Sequence, residues 1–134
     1  MVFAELPKTM AQIKTQLEYL GYTVEYKDTY AVARKSAAAV ITVKLYKQNI
    51  LMYAYYDLDM NQGTRYELYE AVNLLNQNAS VCRYYVDDDD DLMIEMVISD
   101  IYDRTILGNF LTLWQAESYT ALADPSAPIY PFVP

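Results

Sequence analysis

A chain of 134 residues with 54% hydrophobic and 21% charged side chains is long enough to bury one core and too apolar to be disordered. Its formal charge of −8, from ten basic and eighteen acidic residues, opposes nucleic-acid binding, where Lys and Arg must replace phosphate counterions, and opposes anionic membrane surfaces. Such a charge fits a basic partner, or simple solubility, better.

The first predicted helix runs from Lys8 or Thr9 to Leu20. Met10, Ile13, Leu17 and Leu20 recur at helical spacing. Thr9 with Gln12 fits a capping box just after Pro7, and Gly21 supplies the stop. A β region follows, in which Tyr22, Val24 and Tyr26 alternate with Thr23, Glu25 and Lys27, so that one face is apolar and the other wet. Lys27-Asp28-Thr29 reads as a tight turn into a second strand, Tyr30 to Lys35. After a weak break at Ser36-Ala37-Ala38, a third strand near Ala39 to Tyr46 sets Ile41, Val43 and Leu45 against Thr42 and Lys44. Lys47-Gln48-Asn49 turns the chain into a fourth strand, Ile50 to Asp57, which is apolar on both faces, the pattern of a central or covered strand.

A polar connector, Asp57 to Gly63, leads to a helix from Thr64 to Asn78. Thr64 and Glu67 form its capping box, and Leu68, Ala71, Val72 and Leu75 its apolar stripe. The chain returns to strand at Ser80 to Val86, crosses five aspartates (Asp87 to Asp91), and runs back through Leu92 to Ser99. In that hairpin Leu92, Ile94, Met96 and Ile98 share the apolar face, with Glu95 and Ser99 opposite. The last helix starts near Asp103 and runs to about Ala121. Ile106, Leu107, Phe110, Leu111, Leu113 and Trp114 give it an apolar face wider than one buried stripe requires, and Gly108 weakens it by about 1 kcal/mol relative to alanine. Asp124-Pro125 ends it. The proline-spaced tail, 125–134, can be neither regular helix nor central strand, and is expected as an extended arm or as disorder.

This order, α-β-β-β(-β)-α-β-β-α with hairpin-length or helical connections, makes an α+β fold with an antiparallel sheet of five to six strands the economical solution. One domain is expected over 1–124, followed by the tail 125–134.

Chemistry is sparse. Histidine is absent, which removes the commonest general base and zinc ligand. The glycines, Gly21, Gly63 and Gly108, are too isolated for a phosphate loop. Cys82 is the lone cysteine, so it forms no intramolecular disulfide, points to a reducing compartment, and reads as an inert, partly buried thiol. No signal peptide is legible, and no apolar run approaches the roughly 20 residues that span a bilayer, so a cytoplasmic location is expected. No catalytic residue, cofactor or metal is assigned. Paired carboxylates can run acid–base chemistry, but nothing in the sequence separates such a pair from surface charge. The aspartate run lacks the alternating ligands, central glycine and distal glutamate of a calcium loop. Five adjacent side chains in a hairpin point in different directions, which favours a solvated tip over a weak contact with a cation or basic partner. Asn73 and Asn76, three apart on one helix face, favour a tie from the helix end to the following strand over a ligand contact.

Fifteen tyrosines stand against three phenylalanines and one tryptophan. Tyrosine buries a large ring, keeps a hydroxyl that needs a partner, and is enriched at interfaces. Tyr53, Tyr55 and Tyr56 on the fourth strand, with Phe110 and Trp114 on the last helix, are therefore the candidate partner or dimer surface, against the competing reading of an ordinary core.

From Leu68 to Ile98 a helix containing Ala71-Val72-Asn73-Leu74-Leu75-Asn76 is followed by a strand, an acidic turn and an apolar strand. In this, and in length and acidity, the chain resembles the YbjN-like proteins, whose fold is that of the type III secretion chaperones. The family pattern is a helix with an Asn-x-x-Asn element, a strand, an Asp/Gly-type turn and a leucine-rich strand. The likeness runs loosely from the first helix to the last. The turn departs from it, with five aspartates and no glycine. The resemblance implies a non-catalytic, often dimeric cytoplasmic protein that binds another polypeptide, with a family label of sensory-transduction regulator that names no mechanism. A small-ligand or signal sensor of the same fold, with a pocket between sheet and helices, is the alternative.

Overall fold

The computed structural model describes residues 8–27, 29–36, 38–47, 49–99 and 102–134, with the side chains of 99 and 119–121 set aside. The elements in chain order are α1 (Lys8–Tyr19), β1 (Thr23–Lys27), β2 (Tyr30–Arg34), β3 (Ile41–Tyr46), β4 (Asn49–Asp57), α2 (Arg65–Asn78), β5 (Arg83–Val86), β6 (Asp91–Ser99), α3 (Arg104–Ala123) and a short 3₁₀ helix (Tyr130–Phe132). The strands form one antiparallel sheet of six in the order β1-β2-β3-β4-β6-β5. The expected α+β class holds, with the optional fourth strand present. β4, apolar on both faces, lies inside the sheet between β3 and β6. Contacts sort the chain into two compact units. The first runs to Met52 and adds Val97–Leu107; the second comprises Tyr53–Met96 and Gly108–Pro134.

In the first unit α1 buries Met10, Ile13 and Leu17, the stripe its spacing announces. The helix begins at Lys8, so Thr9 falls inside its first turn and not at the cap position; Pro7 lies outside the described residues. It ends at Tyr19, one residue short of Leu20, which stays exposed. The end is a Schellman motif: Tyr22 N–H donates to the Leu17 carbonyl at 3.0 Å and Gly21 N–H to the Glu18 carbonyl at 3.0 Å. That geometry sets Gly21 at φ 96°, a conformation disfavoured for residues with a Cβ. Gly21→Ala is expected to lower stability by about 1 kcal/mol in urea denaturation. A Cβ there would meet only the flexible Lys35 side chain at 3.5 Å, so the cost comes from the backbone.

Gln16 is buried on the same helix. Its Nε2 donates to the Arg104 carbonyl at 2.9 Å, and its Oε1 accepts the Tyr102 hydroxyl at 2.6 Å, tying α1 to the start of α3. β1 and β2 pair with Val24 opposite Ala33, and β2 pairs with β3 with Ala31 opposite Val43. Simple alternation fails on β3: Thr42 is buried, whereas Leu45 is 44% exposed. Ile41, Thr42 and Val43 are all buried, so both faces are covered where the strand starts and open where it ends.

In the second unit the capping box of α2 forms as read. Glu67 N–H donates to Thr64 Oγ1 at 3.1 Å, and Thr64 N–H donates to Glu67 Oε1 at 3.0 Å. The Thr64 N–H, then its hydroxyl, hold the Glu67 carboxyl below its ordinary range. Leu68, Ala71 and Val72 are buried and Leu75 half-buried. Across the β5–β6 hairpin Arg83 faces Glu95 and Tyr84 faces Ile94. Glu95, expected on the wet face, is buried because its cross-strand neighbour Arg83 and the Tyr85 hydroxyl (3.1 Å) both donate to its carboxylate. The start of α3, which belongs to the first unit, is capped by Asp103, whose Oδ1 accepts from Ile106 N–H at 2.9 Å.

The tail is neither an arm nor disorder. Asp124 nucleates its first turn, accepting from Ser126 N–H at 2.9 Å, and the 3₁₀ helix closes with Phe132 N–H donating to the Ile129 carbonyl at 3.0 Å. Ile129 and Phe132 are buried, and Asp59 N–H donates to the Phe132 carbonyl at 2.8 Å. Pro131 falls in the first turn of the 3₁₀ helix, where a missing N–H costs nothing, and the two apolar anchors flank it.

Candidate functional site

The five residues read as one partner surface do not share a face. Tyr53 is half-buried and Tyr55 is 61% exposed on one side of β4. Tyr56 projects to the other side, because consecutive strand residues alternate. It is half-buried there, and burial raises its hydroxyl above the ordinary tyrosine range. On α3, Phe110 is half-buried, whereas Trp114 is only 2% exposed and belongs to the core. The buried stripe of α3 is Leu107, Leu111, Trp114 and Ser118, and Ile106 and Leu113 remain exposed. The helix face is indeed wider than its buried stripe, but Trp114 is in the stripe.

Within the second unit α2, α3 and the docked tail enclose a groove of about 480 Å³. Leu74 and Leu75 form one wall, Leu113 and Ala116 another, and Pro128 and Ile129 a third. Tyr84 of β5 also lines it. Its side chain is 2% exposed, and its hydroxyl has no hydrogen-bond partner among the described residues. Burial first, then the neighbouring Cys82 and Glu117 groups, push that phenol well above its ordinary range. An unsatisfied buried hydroxyl costs about 1–3 kcal/mol.

Two side chains set Tyr84 in place. Asn76 clamps its backbone on both sides: Nδ2 donates to the Tyr84 carbonyl at 2.8 Å, and Tyr84 N–H donates to Oδ1 at 2.9 Å. This is the helix-to-strand tie expected of the asparagine pair, made by Asn76, while Asn73 stays exposed. β5 is an edge strand, and the clamp closes its edge at Tyr84 against strand addition. Glu117 holds the approach to β5. Its Oε1 accepts from Ser80 N–H (3.0 Å) and Cys82 N–H (3.3 Å), and its Oε2 from the Ser80 hydroxyl (2.7 Å) and Val81 N–H (3.2 Å). The strand therefore begins at Arg83, not Ser80, since these N–H groups are committed to a carboxylate. Nothing local in the sequence marks Glu117, whose partners lie more than thirty residues upstream.

Cys82 is buried, and burial followed by the Glu117 charge pushes its thiol up to about 12. The thiol is protonated at neutral pH, as expected of an inert cysteine. Its reaction with a disulfide reagent at neutral pH should run at least about 100-fold slower than that of free cysteine, and recover fully in denaturant. Rapid labelling of the folded protein would contradict the burial argument.

The aspartate turn departs from its expectation. Asp87, Asp89 and Asp91 each bring a carboxylate oxygen to within 4.8 Å of the others. They converge because Asp87 Oδ1 accepts from Asp89 N–H at 3.0 Å and Asp91 N–H at 2.9 Å, folding the tip back on itself. Asp90 takes φ 59°, the left-handed position that glycine usually fills and that aspartate tolerates. Both Asp90 carboxylate oxygens accept from Arg65, at 3.0 and 2.9 Å, so the tip is held against the start of α2. Burial, then the Asp87 and Asp57 carboxylates, raise the Asp91 carboxyl above its ordinary range.

The sequence matches the model of the YbjN family, described as "Putative bacterial sensory transduction regulator", over residues 9–118. The chain belongs to the YbjN family. The crystal structure of YbjN from E. coli is similar to this YbjN-family chain with a TM-score of 0.67 at 13% identity, covering 83% of this chain and 86% of that one. The Yersinia pestis type III secretion chaperone SycH, in complex with a stable fragment of YscM2, is similar with a TM-score of 0.60 at 15% identity, covering 85% and 99%. The heterodimeric ExoU–SpcU complex from the type III secretion system of Pseudomonas aeruginosa contains a chain similar with a TM-score of 0.60 at 15% identity, covering 81% and 94%. No curated protein matches the chain by sequence. The resemblance carried by the helix, strand, acidic turn and apolar strand is thus borne out in family and in fold. Among the described residues, no helix is long and apolar enough to cross a membrane.

Proposed function

We propose that this protein is a non-catalytic protein-binding module of regulatory or chaperone-like kind, acting as a cytoplasmic homodimer on a partner with a basic surface. The observation that carries the reading is the fold shared with a type III secretion chaperone in complex with a fragment of another protein and with a chain of a heterodimeric type III secretion complex. A formal charge of −8 supports a basic partner over nucleic acid or membrane. The absence of histidine and the protonated Cys82 thiol speak against nucleophilic or acid–base chemistry. Of the tyrosines named from the sequence, Tyr55 is the most available contact, with Tyr53 beside it on the same face of β4.

The test pairs light scattering behind size-exclusion chromatography with affinity capture from the native host, for the wild type and for Tyr53→Lys and Tyr55→Lys. A dimer whose captured partner is lost in the lysine variants supports the reading. A wild-type monomer, together with variants that keep every partner, sinks it.

A further inference from the structure

We infer that the docked tail is a built-in occupant of a polypeptide-binding channel across α2 in the second unit, exchanged for an incoming segment of another protein. That segment carries an aliphatic and an aromatic anchor three residues apart around a proline, with lysine or arginine beside them. This rests on the protein-binding reading and gives it a site and a ligand chemistry.

The tail itself shows what this surface accepts. Ile129 and Phe132 are 1% and 4% exposed, while Pro128, Tyr130 and Pro131 around them stay exposed. Two apolar anchors on a proline-stiffened segment are a common way for a short peptide to bind, since little freedom is lost on docking. The Asp59 N–H meets the Phe132 carbonyl at 2.8 Å, a backbone contact that any polypeptide can offer. Gly63 opens the notch for the ring, because a Cβ there would stand 2.8 Å from its tip. The matched family region ends at residue 118, so Asp59, Gly63 and α2 belong to the family domain and the tail is an addition laid over them. The α2 capping box, the Asn76 clamp and the Glu117 contacts involve no tail residue beyond 124, so the tail can leave without unfolding the unit.

The tail does not fill the channel. Grooves of about 480 and 440 Å³ adjoin it, and Ala71, Leu74 and Pro128 line both, so the two meet where the tail crosses α2. Each has room for side chains that a longer segment would supply. Charge selects that segment. Glu117 and Asp124 line the first groove and Glu67 and Glu70 the second, and no Lys or Arg lines either among the described residues. Basic flanks complement these carboxylates, whereas the tail has no Lys or Arg from 124 to 134. The same charge works against a second copy as the source: two chains of −8 repel, and the second tail is equally without cations.

The probe is a fluorescein-labelled peptide of residues 124–134 preceded by two lysines, titrated into the full chain and followed by anisotropy. Phe132→Ala, which frees the channel, is expected to bind it at least about tenfold more tightly than the wild type, because the docked tail competes. Leu74 is 40% exposed and lines both grooves. Leu74→Lys in the Phe132→Ala background removes that shared wall and repels the basic flanks, so binding should be lost. A peptide with both anchors changed to alanine should fail to bind, and two glutamates in place of the lysines should weaken binding about tenfold at low salt. If Phe132→Ala folds poorly, hydrogen exchange on the wild type decides: excess peptide should deprotect the Tyr130, Phe132 and Val133 amides. Equal affinity for the wild type and Phe132→Ala, equal affinity for the anchor-free peptide, or tail amides that stay protected overturns the inference. So does a wild-type dimer that Phe132→Ala alone makes monomeric, which would make the tail an exchange between copies. A host partner still captured while the peptide fails sinks this inference and leaves the protein-binding reading standing.

Discussion

Trp114→Ala is expected to destabilise the protein by about 3–5 kcal/mol, the range for deleting a large aromatic from a packed core. Trp114 is the bulkiest of the fully buried side chains and sits with Leu107 and Leu111 on the one stripe of α3 that is covered. The helix backbone is itself braced there, as the buried Ser118 hydroxyl donates to the Trp114 carbonyl at 2.6 Å. Deleting the indole leaves a void that these elements can only partly close. Leu113→Ala, one residue away but 45% exposed, should change stability by no more than about 0.5 kcal/mol. Urea denaturation followed by circular dichroism measures both, since the tryptophan signal is lost in the first variant. A Trp114→Ala loss below about 1 kcal/mol would return this residue to the surface role read from the sequence. Trp114→Lys is not a usable interface probe, because it would place an unpaired charge in the core.

Phe132→Ala is expected to cost about 3 kcal/mol and to release the tail. Docking rests on two buried side chains, Ile129 and Phe132, and on the Asp59 N–H bond to the Phe132 carbonyl. The loss is limited by local undocking, so the tail of the variant should be trimmed by protease at once while α2 and the hairpin resist. Gly63 provides an independent check on the geometry. A Cβ at Gly63 would come within 2.8 Å of the tip of the Phe132 ring, too close for a rigid ring to accept. Gly63→Ala should therefore destabilise the wild type but have little effect in the Phe132→Ala background, a coupling that a double-mutant cycle reads directly. Additive effects would mean that the ring does not pack there.

Patterns within one element were legible. The Thr64–Glu67 box, the Leu68, Ala71 and Val72 stripe, the Asn76 tie, the hairpin and the two-faced β4 each depend on residues a few positions apart, and each forms. The misplacements share another character. Thr42 and Glu95 are polar and buried, while Leu45 is apolar and exposed. The expected in–out alternation of burial fails at these positions, because which stretches of a sheet are covered depends on what packs against them. Glu95 in particular is buried because the hairpin register sets Arg83 opposite it.

The site shows the same division. Cys82 read as a partly buried thiol and is buried, but the sequence had no means of pairing the approach to β5 with Glu117 or of leaving the Tyr84 hydroxyl without a partner. The tail was judged by its prolines, which exclude regular structure, while its anchors Ile129 and Phe132 had no visible surface to bury against. By itself, then, the sequence determined the local alphabet of the protein: helices, strands, caps, hairpin and the family they spell. Only the tertiary structure decided that Trp114 lies in the core, that the tail docks, and that α2, α3 and the tail leave a groove lined by Tyr84. The physical reason is range. Capping, periodicity and turn chemistry act over a few residues and are written in their order, whereas burial of a given side chain is a property of surfaces brought together from positions far apart in the chain.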